Sequence, residues 1–221
     1  KRTYTFGRPR KSLRDMIFCC MIKIYTNASS RRTISDLELA RQAGYIQEMP
    51  HFNTLLNYFD DSGMRMVLHY LITVSSLPLK QVEQMMAIDS TGFCTGRFDR
   101  WADIRNNFGL RAKKGYVKAH ICCGIKTNIV TSAEITRGIV GDSTMFKSLM
   151  SQTAENFDIK EVSADKAYSS RDNLDLANKL GAMPYIPFKS NVRGKAKGSP
   201  TWAKMYKIFA EKYLEFAKHY H

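Results

Sequence analysis

The chain has 221 residues, 44% of them apolar, with 34 Lys and Arg against 20 Asp and Glu and a formal charge of +14. That apolar fraction can build a core, which excludes a chain disordered throughout, and no apolar stretch reaches the ~18 residues of a membrane helix. The positive excess suits a polyanion better than a small neutral ligand, and nucleic acid comes first because basic side chains that neutralise phosphates release counterions.

A basic arm opens the chain: Lys1, Arg2, Arg8, Arg10 and Lys11, kept irregular by Gly7 and Pro9. No signal-type apolar core follows it. Arg8-Pro9-Arg10 has the form of an extended arm for a narrow minor groove, with a frayed basic tail as the alternative. Residues 1–80 read as helical. Ser12 caps a helix with Leu13, Met16, Ile17, Cys20 and Ile24 inward. Ser35-Asp36-Leu37-Glu38 opens a second helix as a capping box, ended by Gly44. Pro50 begins a third, with Phe52, Leu55, Leu56 and Phe59 inward. Two short helices around a Gly turn fit a helix-turn-helix. Asp60 and Asp61, and the lack of basic residues at 50–60, fit a packing or dimerisation unit equally well.

From residue 81 the pattern turns to strands. Met85–Asp89 is an apolar run closed by an acid. A polar, Arg-rich stretch follows, with Arg111, Lys113, Lys114 and Lys118 towards its end and Trp101 and Phe108 interleaved, as suits phosphate contacts and stacking. Residues 116–123 alternate as a strand does, carrying Lys118 and His120. Thr127-Asn128 is a hairpin turn before the partner strand 129–135. A helix starts at Gly141-Asp142-Ser143, with Asp142 read as its N-cap. Val162–Asp165 is a second apolar run closed by an acid. Ser170 caps a further helix, ended by Gly181. Met183–Phe188 is the last strand. The loop with Lys189, Arg193, Lys195 and Lys197 is a second candidate phosphate grip, and one long amphipathic helix spans 201–219. Cys19, Cys20, Cys94, Cys122 and Cys123 include no CxxC spacing. They read as reduced thiols of a cytoplasmic, nucleoid-associated protein rather than a disulfide framework or zinc ribbon.

The order β-β-β-α-β-α-β-α predicts an α/β, RNase H-like mixed sheet in 81–221: three antiparallel strands, then parallel strands with helices. A right-handed crossover lays the fourth strand beside the first. Asp89 and Asp165 then end neighbouring strands ~4.8 Å apart. Two bare carboxylates that close repel, and a hard divalent cation relieves them, Mg²⁺ being the usual choice and Mn²⁺ the substitute. The bland alternative for each acid is a turn former or cap.

At these residues the chain resembles the DDE transposases of insertion sequences. The resemblance is carried by Ala87-Ile88-Asp89-Ser90-Thr91-Gly92-Phe93, by Lys118-Ala119-His120, by Ser163-Ala164-Asp165-Lys166-Ala167-Tyr168, and by Pro184-Tyr185-Ile186-Pro187-Phe188-Lys189. It implies an enzyme that cleaves and joins transposon-end DNA by Mg²⁺-dependent phosphoryl transfer. Asp89 and Asp165 would be catalytic metal ligands, with Lys166 on a phosphate and His120 and Tyr168 as accessories. Double-stranded DNA and a homo-oligomer assembled on it are the implied partners. The family's third acid is a Glu in Tyr-x2-Arg-x3-Glu-x6-Lys. Here Tyr220 alone matches, so the third acid is expected past His221 and these residues by themselves are expected not to transpose. Glu211 and Glu215 read as a solvated helix face. A DNA-binding remnant, another RNase H-like nuclease using Glu134 or Asp142, and a structural RNA-binding protein are the competing readings.

Overall fold

The computed structural model describes residues 11–94 and 116–220, and of Cys94 the backbone alone. Arg8, Arg10, Arg111, Lys113 and Lys114 lie outside the described residues. The chain divides into two compact units, Lys1–Leu68 and His69–His221.

The first unit holds α1 (Leu13–Thr26), α2 (Ser30–Gln42) and α3 (Phe52–Phe59), and α4 (Ser62–Ser76) begins in it. Ser12 caps α1, its hydroxyl accepting from the Asp15 N–H at 3.4 Å. Met16, Cys19 and Cys20 form the buried stripe, at i, i+3 and i+4. Leu13 and Ile24, expected inward, are 51% and 63% exposed, at the ends of a stripe that packs through its middle. The second helix starts earlier than the capping box predicts. Ser29 accepts from the Arg32 N–H and begins α2 at Ser30, leaving Ser35 inside the helix. Glu38 instead pairs with Arg41 at 2.6 Å. In α3 Leu55 is buried, while Leu56 and Phe59 face solvent. Met16, Cys19, Cys20, Leu37, Ile46, Leu55 and Met64 make this unit's core.

The second unit is built on β1 (Met85–Cys94), β2 (Tyr116–Gly124), β3 (Val130–Arg137), β4 (Glu161–Ala164) and β5 (Met183–Tyr185). Their order is β3-β2-β1-β4-β5. The first three strands pair antiparallel; β4 joins β1, and β5 joins β4, in parallel. This is the RNase H-like sheet predicted from the element order. The helices are α5 (Phe146–Ala154), α6 (Arg171–Lys179), α7 (Pro200–Glu211) and α8 (Tyr213–His219). Met86, Ile88, Val162, Phe146, Leu149 and Leu174 are among the fully buried side chains of the core.

In this unit β1 runs on past Asp89, where the sequence reading closed it, because β2 pairs with it as far as Cys94 opposite Tyr116, and three further elements differ. The β2–β3 connection is longer than two residues because the buried Glu83 carboxylate accepts the N–H groups of Lys126 and Thr127, at 3.3 and 2.5 Å. The last strand stops at Tyr185, short of Phe188, and Pro187 has no N–H to extend the ladder. The long helix breaks at Lys212 (φ −130°, ψ 48°). Among the described residues no helix is long and apolar enough to cross a membrane.

Candidate active site

Register decides where the two acids lie. Strand β1 pairs in parallel with β4 through Ala87↔Ser163 and Ile88↔Ala164. Asp89 and Asp165 are each the next residue, so they lie at the same level on adjacent strands, Asp89 within β1 and Asp165 just past the end of β4. Partners in a parallel ladder share a face, so both side chains leave on the face of Ala87 and Ser163. The same face carries the end of α8: the Ser163 hydroxyl donates to the His219 carbonyl at 3.1 Å, and the His219 ring stacks on Tyr185 at 4.7 Å.

Both carboxylates are exposed and both are oriented by backbone. Asp89 Oδ1 accepts from the Ser90 N–H at 2.7 Å, and Asp165 Oδ1 accepts from the Ala167 N–H at 2.8 Å. The second bond makes Asp165 the cap of a 3₁₀ turn, Lys166–Tyr168. Capping and metal binding are therefore compatible here, since each Oδ2 remains for a cation. Two phenols report the shared field. Tyr220, following α8, is pushed up by burial and then by Asp165 and Asp89. Tyr168, fully buried, is pushed up by burial, then by Asp142, Asp89 and Asp165. Ser90 lies near enough to the Tyr168 hydroxyl to offset part of this, yet no hydrogen bond of ordinary geometry joins them.

A third acid near the site, Asp142, is not the N-cap expected. Gly141 holds that position, without a side-chain bond. Asp142 Oδ1 instead accepts from Lys118 Nζ at 2.7 Å and from the Ser90 hydroxyl at 3.0 Å. Lys118 also donates to the Val140 carbonyl at 3.1 Å. It is buried on β2, so its charge serves Asp142 rather than the phosphate expected for it. His120, two residues on and opposite Ser90 in the ladder, is fully buried. Its Nε2 lies 2.9 Å from the Thr136 hydroxyl, and its Nδ1 lies 3.7 Å from Asp142. Burial holds the imidazole below its ordinary pKa, against the pull of Asp142. The alternation at 116–123 was the available signal, because it sets Lys118 and His120 on one face; the partner they share, Asp142, lies 24 residues past Lys118.

Glu134 accepts from the Ser148 hydroxyl and the Gln152 amide, both at 2.7 Å. Glu161 meets His219 Nδ1 at 3.0 Å. Glu211 and Glu215 are exposed and pair with lysines of their own turns. Among the described residues no cluster of three or more His, Cys, Asp or Glu is arranged to hold a metal ion. Asp89 and Asp165 are what the site presents: two hard oxygen donors with room for water, a set that fits Mg²⁺. Lys166, Lys189, Arg193, Lys195 and Lys197 are all exposed, whereas Lys11 is engaged by Glu48.

The family described as "Transposase DDE domain" matches residues 80–219. No curated protein matches the chain. Among solved structures it is similar to the piggyBac transposase in a synaptic complex with hairpin DNA, at 14% identity and a TM-score of 0.39, over 88% of this chain and 46% of that one. It is also similar to the Mos1 transposase in a paired-end complex with the left transposon end, at 10% identity and a TM-score of 0.32, over 98% and 82%. A third similar structure is the simian T-cell lymphotropic virus intasome with a PP2A regulatory subunit, at 11% identity and a TM-score of 0.27, over 62% and 42%. The chain thus spans about half the length of the piggyBac transposase chain.

Proposed function

The chain belongs to the transposase DDE domain family, and we propose that it supplies two of the catalytic carboxylates of an enzyme that cleaves and joins DNA at transposon ends by divalent-metal-dependent phosphoryl transfer. One observation carries this reading: the parallel register that brings Asp89 and Asp165 to one level and one face. A hard cation held there would polarise a phosphodiester and lower the pKa of the attacking hydroxyl. The chain's own residues do the rest. Ser90 and Ala167 orient the two carboxylates through their N–H groups. Lys166, exposed beside Asp165, would take a phosphate oxygen. Residues 81–221 act as the catalytic domain, and 1–80 as a DNA-binding or dimerisation region. Duplex DNA is the partner, with oligomers assembling on it, in keeping with the +14 charge.

The family resemblance calls for a third carboxylate. Among the described residues Glu134, Asp142 and Glu161 are each committed to partners of their own, and the chain alone is expected not to cut DNA. Nuclease-free protein that cut or joined transposon-end duplex in Mg²⁺ would overturn that expectation. The metal site is tested separately, with Tb³⁺ as a luminescent stand-in for the hard divalent cation. Wild type should bind it, and Asp89→Asn and Asp165→Asn should each weaken binding at least ~10-fold, one carboxylate of two being lost. Unchanged binding in both variants would defeat the proposal.

A further inference from the structure

We propose that residues 191–197 form a pre-set basic comb that grips successive phosphates of one DNA strand, held in shape by Arg171 and Trp202. This rests on the reading of the chain as a DNA-acting protein and adds where and how the backbone of the DNA is held. Exposure alternates along the segment: Asn191, Arg193, Lys195 and Lys197 face solvent, and Val192, Gly194 and Ala196 turn inward. Period-two exposure is that of extended chain, which sets the three cations about 7 Å apart, comparable with the phosphate step along a nucleic-acid strand.

The inner row is fastened down. Val192 packs against the core. A Cβ at Gly194 would stand 2.4 Å from the Tyr206 ring, so the backbone lies flush on α7. The Trp202 indole N–H donates to the Arg193 carbonyl at 3.0 Å. The Arg171 guanidinium lies over the Trp202 ring, 4.5 Å from its centroid, and donates to the Lys195 and Ala196 carbonyls at 3.1 and 3.2 Å. One cation thus fastens two successive carbonyls and fixes the backbone on which Lys195 stands. At the far end the Ser199 N–H closes a turn on the Ala196 carbonyl at 3.0 Å, through Lys197 (φ 45°) and Gly198 (φ 89°). That turn favours Asn or Gly at its first position, and a lysine stands there against the backbone preference.

Arg171, Arg193, Lys195, Lys197 and Trp202 line a cleft of about 380 Å³. The segment follows β5, which runs parallel to β4 and β1. It therefore leaves the sheet from the same edge that carries Asp89 and Asp165. Cations on a backbone already ordered lose less freedom on binding than those on a loose loop. That separates a built phosphate track from a run of solvated charge.

The test is binding of the full chain to a 30-base-pair duplex across a NaCl series, read by fluorescence anisotropy. The comb variant is Arg193→Gln, Lys195→Gln and Lys197→Asn together, Asn being at ease in the left-handed turn. Its plot of log affinity against log salt should flatten by about 2.7, from roughly 0.9 per lost phosphate contact. The control removes equal charge at the opposite sheet edge, through Lys126→Gln, Lys160→Gln and Lys179→Gln, and should flatten it by less than about 1. Arg171→Lys keeps the charge but not the two-carbonyl latch. It should lower affinity at least ~10-fold and flatten the slope, whereas a merely structural role would change the melting temperature and leave the slope alone. Equal slopes for the comb and control variants would overturn the comb while leaving DNA binding intact. Wild-type slope in Arg171→Lys would overturn the latch. Wild-type protein without salt-dependent DNA binding would remove the DNA reading and the comb together.

Discussion

Asp142 is the residue at which local and tertiary chemistry part. Next to a glycine and ahead of a helix, it is placed to cap; in the folded chain it is the acceptor for Lys118 and Ser90. The ion pair is mostly buried, its side chains 11% and 21% exposed. Removing one partner leaves a charge without compensation in a poorly hydrated place. Lys118→Met should therefore cost ~2 kcal/mol or more, somewhat under the ~3–5 of a fully buried pair. Adding Asp142→Asn should recover part of that loss, and a urea-unfolding double-mutant cycle measures the coupling. His120 gives the pH dependence. Its folded pKa is depressed, so below about pH 6.5 the unfolded chain takes up the proton more readily. Its contribution is whole above that pH and is lost as pH falls through the folded value. The melting temperature should thus fall more between pH 7.5 and 5.5 in wild type than in His120→Gln. Among the described residues Cys19, Cys20, Cys122 and Cys123 are free thiols, and burial pushes Cys19 and Cys122 up to about 11.

At the scale of elements, caps and turns were legible where their partners lie within a few residues. Ser12 and Ser170 cap the helices predicted for them. Gly181, at φ 87°, ends the turn after α6 as a glycine can. Ser170→Ala should cost ~1 kcal/mol, since the Asn173 N–H loses its acceptor. Ser170→Asp should retain most of that stability, and thermal unfolding distinguishes the two. The capping box at Ser35 failed because Ser29 offers an equivalent acceptor six residues earlier. The hairpin length was hidden because Glu83, which sets it, lies 43 and 44 residues from the two amides it holds.

At the scale of the molecule, each unit carries a core of its own, one around Leu37 and Leu55 and the other around Ile88, Leu149 and Phe216. Leu37 and Leu149 are both fully buried. Leu37→Ala and Leu149→Ala should each cost ~2–5 kcal/mol in the unit that holds them. Hydrogen exchange should show the first loosening α1 to α3, and the second loosening α5 and the strands beneath it. Faster exchange spread evenly over both units by either change would contradict separate cores.

The order of strands and helices, the mixed sheet and the acid that follows β4 were legible in the sequence, whereas Asp89, expected at a strand end, lies within β1. Those features follow from periodicity and turn chemistry, which act over a few residues. The tertiary structure alone decided which charged groups meet. Lys118 turns inward because Asp142 is carried across the sheet to receive it. Arg171 orders a loop more than twenty residues away because two carbonyls and an indole face sit where its guanidinium reaches. Such pairings depend on register and crossover, and charge and spacing along the chain do not encode them.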